Sequence, residues 1–438
     1  MMNNTNSNEN NIPSIVSTEK QSYEIGSEFN YIKPDKSKGS SLPKLFETTG
    51  RNARYLRCGR DAIGFIAEDI VKKQALKGND LFLKRVYMPA LACDSMVEPF
   101  RMHGYEVLFY KVQKDLRIDT ASLLELIKNS DNKQPEVNGA NETPVILTMN
   151  YFSMVNQRET NKAVKAQYPN AIIVEDITQV LLSPEAYDLD NTDYQIGSIR
   201  KWFGLADGAV VLAKDDSFEA KAEHGTTAFT TMRTQAMTEK TKYHELVAKK
   251  SSETASPSVP NNDMTMQDAA NTEDPQALKA HFRGMLSGAD DALDNGLTIY
   301  EISEQSYEDI QYAPLKEMME KRTDNYHYLY QKLKEILEPA TTTPQPFTMF
   351  QEAPVGVTPF MLPILVNESV VGCSRDEFER KLAQKGVYAP VLWPIEKEAQ
   401  EACSVSADFS QHMLAFWIDH RYTREHMDYV AEQIRMLI

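Results

Sequence analysis

The sequence predicts an α/β fold: a large domain with a mostly parallel sheet flanked by helices, joined to a smaller C-terminal α+β domain. Three observations carry this. Short, continuous apolar runs recur between about residues 50 and 215, as expected of strands buried on both faces. Stretches with apolar residues at helical spacing separate them. Strand and helix alternate along the chain, which gives a layered architecture. The chain has 438 residues, enough for two or three domains at roughly 150 residues each.

The elements follow in order. Residues 1–40 are rich in Asn, Ser, Lys and Glu and read as a flexible N-terminal tail, within which 23–29 is apolar enough to dock on the body. A large domain spans 41–313. After Gly59, residues Ala62, Ile63, Ile66, Ala67 and Ile70 form one apolar stripe, so a helix starts here. Strands are expected at 85–89, stopped by Pro89, and at 105–110, 144–149, 171–174 and 209–213. Asp119 is placed to cap a helix over 121–127. Residues 217–249 are helical in pattern. Residues 251–276 hold Val259 as their one large apolar or aromatic residue besides methionine, with Pro257, Pro260 and Pro275, and read as a mobile insertion. A helix over 314–338 opens the small domain, 314–438. There 358–365, 377–386, 387–392, 415–418 and 424–437 read as β-α-β-β-α.

Composition narrows the function. Charged residues make up 25% and the hydrophobic set 42%, so the chain as a whole is globular. The 47 Lys+Arg against 63 Asp+Glu give a formal charge of −16, which argues against general nucleic-acid binding but leaves room for a local basic pocket. Cys58, Cys93, Cys373 and Cys403 form no CxxC pair, and the eight histidines form no HExxH, so neither a disulfide scaffold nor a metal site is expected. No stretch approaches about 18 consecutive apolar residues, so no membrane span is expected. The N-terminus has neither the basic start nor the apolar run of a signal peptide. A cytoplasmic protein is expected.

Three pieces bear on chemistry. Residues 58–62 (Cys58-Gly59-Arg60-Asp61-Ala62) open the first helix. Its unpaired N–H groups and partial positive charge make an anion seat suited to a phosphate, although alone it reads as an ordinary helix start. Asp176 ends an apolar run. Carboxyl ends of parallel strands are where α/β proteins place ligands, and a carboxylate there can pair with a protonated ring nitrogen; Gln179 follows one helical turn on. The alternative for Asp176 is a helix cap. The third piece, 197–209, holds Ser198, Arg200 and Lys201. A lysine beside an aromatic and a second cation has a lowered pKa and can form a Schiff base with a carbonyl, while Ser198 and Arg200 suit a phosphate. Its alternative is a basic surface turn. In sequence order the three supply what a pyridoxal phosphate enzyme needs.

The chain resembles the fold-type I pyridoxal phosphate aminotransferases, and among them a divergent member of the DegT–DnrJ–StrS sugar aminotransferase family. The resemblance covers about residues 45–215 and 315–438. It rests on 88–100, on Ser198-Ile199-Arg200-Lys201-Trp202, on 386–394 and on Ile418-Asp419-His420-Arg421-Tyr422, with Ile25-Gly26-Ser27-Glu28-Phe29 in addition. It implies that Lys201 is the cofactor lysine and Asp176 the partner of the pyridine nitrogen, these two being catalytic. Gly59, Arg60, Asp61 and Ser198 would hold the phosphate. Gln179, Asn150 with Tyr151, and Cys93 would line the cofactor pocket.

The chain departs from that family at Cys93, where a stacking aromatic is common, in the short spacing from Ser198 to Lys201, and at Gly208-Ala209, where a glycine pair is common. The resemblance further implies pyridoxal 5′-phosphate as cofactor, a small-molecule amino donor (glutamate), a nucleotide-linked keto sugar as acceptor, and a homodimer with the site at the subunit boundary. Two other readings stay open: a sugar dehydratase, disfavoured because Lys201 is present, and a cofactor-free binding scaffold. Trp393 and Trp417 read as core, with a pocket wall at Trp393-Pro394 as the alternative. Arg421 reads as a surface ion pair or a substrate clamp, and Arg57 as a second candidate for a substrate diphosphate.

Overall fold

Runs such as Val86-Tyr87-Met88 and Val210-Val211-Leu212 have no polar face, and the fold buries them on both sides. The computed structural model describes residues 24–37, 39–79, 82–131, 143–215, 217–252, 274–293, 296–338 and 344–438. Seven strands form the large sheet: β1 (Asn52–Leu56), β2 (Arg85–Pro89), β3 (Glu106–Tyr110), β4 (Val145–Met149), β5 (Ile172–Asp176), β6 (Tyr194–Ser198) and β7 (Ala209–Ala213). Their order is β1-β7-β6-β5-β4-β2-β3. The run from β6 to β3 is parallel, and β7 and β1 join antiparallel. Every residue of β2, β4, β6 and β7 is buried.

Register sets the site. Met149 pairs with Asp176, and Asp176 with Ile196, so the carboxyl ends of β4, β5 and β6 share one edge. The helix Gly59–Leu76 packs on β6 and β7. Asp119 caps the helix Thr120–Asp131 by accepting the Ser122 N–H at 3.0 Å.

Residues 217–227, expected as the start of a helix, are not helical; the helix begins at Ala228. Their backbone donors have other partners. Ala220 N–H donates to Asp69 Oδ1 at 3.0 Å, and Glu223 N–H to the Ile299 carbonyl at 2.8 Å. The helices Ala228–Ser252 and Pro275–Leu293 pack together through Ala236, Tyr243, Leu278, Phe282 and Leu286. Of the expected insertion, 253–273 lie outside the described residues.

Toward the C-terminus, β8 (Phe347–Met349), β9 (Met361–Val366) and β10 (Met413–Trp417) form an antiparallel sheet in the order β10-β9-β8. The helices Leu315–Leu337 and Arg424–Leu437 pack on each other. The strand expected over 387–392 is corrected: only Val387 makes a bridge, to Ile25. Pro390 has no N–H for a ladder, and its carbonyl accepts from Ala415 N–H at 3.2 Å instead. The helices Lys397–Ala402 and Ser404–His412 were not anticipated.

Residues 24–30 lie against both parts. Ile25 and Phe29 are buried. Ile25 exchanges backbone bonds of 2.8 Å with Gly386 and Tyr388, and Gly26 N–H donates to the Tyr422 hydroxyl at 2.7 Å. Tyr23 and the residues before it lie outside the described residues. The main hydrophobic core runs without a break from the large sheet to the small one.

Candidate active site

The edge where β4, β5 and β6 end opens on a cavity of about 320 Å³. Gly59, Arg60, Cys93, Asp176, Gln179, Ser198 and Lys201 all line it. Each arrives on a separate piece of backbone. Gly59 and Arg60 come from a helix start, Asp176 from the end of β5, and Ser198 from the end of β6. Lys201 closes the short turn Ile199–Lys201 that follows.

Thr178 ties these pieces together. Its N–H donates to Asp176 Oδ1 at 2.7 Å, and its hydroxyl oxygen accepts the Ser198 N–H at 3.1 Å. Its carbonyl accepts the Trp202 indole N–H at 2.6 Å. The Ile199 and Arg200 N–H groups both donate to the Gly208 carbonyl, at 3.0 and 3.1 Å. The lysine turn is therefore fixed from both sides.

Asp176 is buried, and burial raises its pKa above the usual carboxylate value. The hydrogen bonds from Thr178 and the nearby Lys201 charge act in the opposite direction. Burial also pushes the Cys58 thiol up to about 11, so this cavity-lining cysteine stays protonated near neutrality. Cys93 is half-buried, with Sγ 2.9 Å from Ser95 Oγ.

Three of the sequence-derived pocket residues do not line the cavity. Asp61 faces Arg57, whose Nε and Nη2 donate to it at 2.7 and 2.8 Å, while the Arg57 guanidinium lies 4.7 Å from the centre of the Tyr300 ring. This pairing spends Arg57 as well, so it is not among the cavity cations. Asn150 is fully buried: its side-chain amide donates to Glu175 Oε1 at 2.8 Å, and its backbone N–H to the Asp176 carbonyl at 3.3 Å. Tyr151 is also interior, its hydroxyl donating to the Leu91 carbonyl at 2.7 Å.

Gln179 lines the cavity and also has a second contact. Its side-chain oxygen accepts the Phe152 N–H, and its carbonyl accepts the Ser153 hydroxyl. Phe152 and Ser153 sit at φ 53° and 64°, left-handed values that cost energy without glycine, so the Gln179 contacts hold a strained turn. Arg421 is not at the cavity. It makes a two-pronged pair with Asp419, at 2.8 Å on each prong, and donates to the Ser27 carbonyl at 2.8 Å.

The cavity also has walls that the sequence did not single out, among them Thr178, Met96, Met149 and Asp290, with Trp393 read mainly as core. Nothing in the local pattern around Asp290 marks it as a site residue. The donor set suits a planar ring carrying a phosphate: an amine at Lys201, a buried acid at Asp176, a helix start at Gly59 and a hydroxyl at Ser198. Arg200 Nε lies buried at the same wall with no hydrogen-bond partner among the described residues, leaving a donor for an anion.

No family model and no curated protein matches the chain. Solved structures do. The Helicobacter pylori aminotransferase PseC, involved in the biosynthesis of pseudoaminic acid, is 14% identical with a TM-score of 0.54 over 94% of this chain and 99% of its own. NtdA from Bacillus subtilis, solved with bound cofactor PMP, is 16% identical with a TM-score of 0.52 over 92% of this chain and 78% of its own. A DegT DnrJ EryC1 StrS aminotransferase from Brucella abortus is 13% identical with a TM-score of 0.50 over 90% of this chain and 88% of its own. At these identities the likeness establishes a shared fold.

Proposed function

We propose that the chain is a pyridoxal 5′-phosphate-dependent aminotransferase that moves an amino group from glutamate to a keto acceptor, a nucleotide-linked keto sugar, and works as a homodimer in a reducing cytoplasm. One observation carries the reading: Lys201, Asp176, Ser198 and the helix start at Gly59 line a single cavity at the carboxyl edge of a parallel sheet. The sugar aminotransferases that share the fold support the choice of acceptor. Lys201 at the cavity disfavours the dehydratase reading.

The bound cofactor supplies an aldehyde that holds the substrate amine and a protonated ring that draws electrons away from it. Asp176 keeps the proton on the ring nitrogen. Its hydrogen bond from Thr178 fixes the carboxylate, and burial removes competing water. Lys201 Nζ would be the base that takes the proton from the substrate α-carbon and, once protonated, the acid that gives it back. The N–H groups that open the helix at Gly59, the Ser198 hydroxyl and the Arg200 guanidinium bind the phosphate.

The test is direct. The purified protein takes up pyridoxal phosphate and turns yellow. Borohydride reduction then leaves the cofactor on the peptide that contains Lys201. A protein that stays colourless, or a label on another lysine, rejects the reading.

A further inference from the structure

Arg200 lines the Lys201 cavity, and its buried Nε has no hydrogen-bond partner among the described residues. A second guanidinium lies close by. Arg200 and Arg233 bear on the same Phe229 ring, 5.6 and 5.7 Å from its centre. Arg233 does not line the cavity: its side chain is 3% exposed, and its Nε donates to the Ala206 carbonyl at 3.0 Å. Its Nη2 pairs at 3.3 Å with Glu28 of the N-terminal strap. Glu28 is held mainly by its backbone. Its carbonyl accepts from Lys240 Nζ and, at 3.3 Å, from Arg421 Nη1, while its side chain is 53% exposed. The carboxylate therefore has room to turn while the strap stays in place. Desolvation raises its pKa, but the charges of Arg233, Arg200 and Lys240 outweigh this and hold it below the usual carboxylate value. Two arginines thus bear on one carboxylate, and Arg233 has it. Asp290, on the cavity wall, also acts on Arg233.

We infer that Arg233 is a positioning residue: by engaging Glu28 it keeps the strap's own carboxylate off Arg200 and leaves that guanidinium open to the phosphate of a ligand in the cavity. This inference rests on the cofactor reading given above. A guanidinium already paired with a carboxylate has spent its charge and its fork of donors, and a phosphate must first displace the partner. Lys240 is tied to Ser27 Oγ at 3.0 Å and to the Glu28 carbonyl. With Arg233 gone, the free carboxylate turns to Arg200, the cation that acts on it most strongly after Arg233. The strap would then place an internal anion where the ligand's phosphate belongs.

The experiment compares the parent with Arg233→Met, Glu28→Gln and the double variant, reading dissociation constants for pyridoxal phosphate and for pyridoxal, which lacks the phosphate. Arg233→Met should bind pyridoxal phosphate about tenfold more weakly, because Arg200 is neutralised, and pyridoxal within about twofold of the parent. The double variant has no strap carboxylate to turn, so it should recover to within about threefold of the parent. A purely structural role for Arg233 predicts the reverse: a loss shared by both ligands that Glu28→Gln does not repair. Thermal melting confirms that each variant is folded. If Arg233→Met is not, Arg233→Gln, which keeps a donor for the Ala206 carbonyl, takes its place alone and with Glu28→Gln. An Arg233 variant that binds pyridoxal phosphate as the parent does, one that loses pyridoxal equally, or a double variant as weak as the single one overturns the inference and leaves the cofactor reading standing. A parent that takes up no pyridoxal phosphate overturns both.

Discussion

Glu175 and Asp176 are neighbours on β5 and face opposite sides of the sheet. Asp176 lines the cavity, while Glu175 is sealed in the interior beneath it. The Glu175 carboxylate accepts the Asn150 amide at 2.8 Å, the Asp188 N–H at 3.0 and 3.2 Å and the Gln195 amide at 3.3 Å. Asn150 closes the loop by donating its backbone N–H to the Asp176 carbonyl. The end of β5 is therefore held from the far side of the sheet by a second carboxylate.

Burial pushes Glu175 up to about 7 from 4.5; the Asp188 charge adds to this, and the donated hydrogen bonds offset part of it. The folded chain thus keeps a proton that the unfolded chain gives up. Stability from this group is complete below the unfolded value and is lost as the pH rises through about 7. In Glu175→Gln this dependence disappears. Between about pH 5 and pH 8, thermal melting of the variant should change less than that of the parent, by roughly 3 kcal/mol at most. Equal slopes in the two proteins would rule out Glu175 as the titrating group.

Asp176→Asn tests the acid at the ring. The substitution keeps an oxygen to accept the Thr178 N–H, so the fold is retained. The negative charge proposed to hold the ring proton is lost. Turnover should fall about 10²- to 10⁴-fold while Lys201 still captures the cofactor. Lys201→Ala should abolish turnover with melting unchanged. Rate measurements on both variants, alongside cofactor absorbance, separate the two roles, and transaminase activity surviving in Lys201→Ala refutes the assignment.

Gly26 shows how closely the N-terminal strap is fitted. It sits at φ +90°, and a Cβ there would lie 2.1 Å from the Tyr388 carbonyl oxygen and 2.6 Å from Trp417 Cδ1. Gly356 has nearly the same φ, +91°, with nothing within 4 Å. Gly356→Ala should therefore cost only the backbone term, about 1 kcal/mol, and Gly26→Ala about 2 to 4 kcal/mol. Denaturant unfolding of the two variants measures the difference, and equal losses would mean that the strap yields freely.

These contacts show what a sequence can and cannot disclose. Strands β2, β4, β5 and β7 were legible because burial on both faces demands an unbroken apolar run. β1 was not, since this edge strand carries Asn52 on a half-buried position and Arg54 on an exposed one. β6 was hidden by Gln195, whose amide enters the Glu175 network, and by Gly197, where a Cβ would come 2.5 Å from Leu181 Cδ1. At the site, Lys201, Asp176, Ser198 and Gly59 were legible because each ends or begins an element. Asp61 turns away from the cavity because its partner Arg57 lies four residues back, just before the helix, a local pairing that pattern alone does not reveal. Trp393 and Asp290 reach the cavity from segments remote in the chain.

Asp419 is a buried carboxylate set between two arginines. Arg421 grips it with two nitrogens, and the fully buried Arg322 lies near enough for its charge to act on it. Burial opposes ionisation, but Arg421, Arg322 and His420 outweigh it and hold the carboxyl at about 2. Arg322 also stacks its guanidinium 4.3 Å from the centre of the Trp202 ring, next to the lysine turn. Asp419→Asn would leave Arg322 buried without its opposing charge, a loss of about 3 to 5 kcal/mol. The pH dependence has the opposite sign to that of Glu175. Stability from Asp419 is present above 3.8 and is lost as the pH falls toward about 2, so the parent should weaken in acid through this group and the variant should not. Acid unfolding followed by circular dichroism decides it: if the variant shows the same acid slope as the parent, Asp419 is not the residue that ties these cations together.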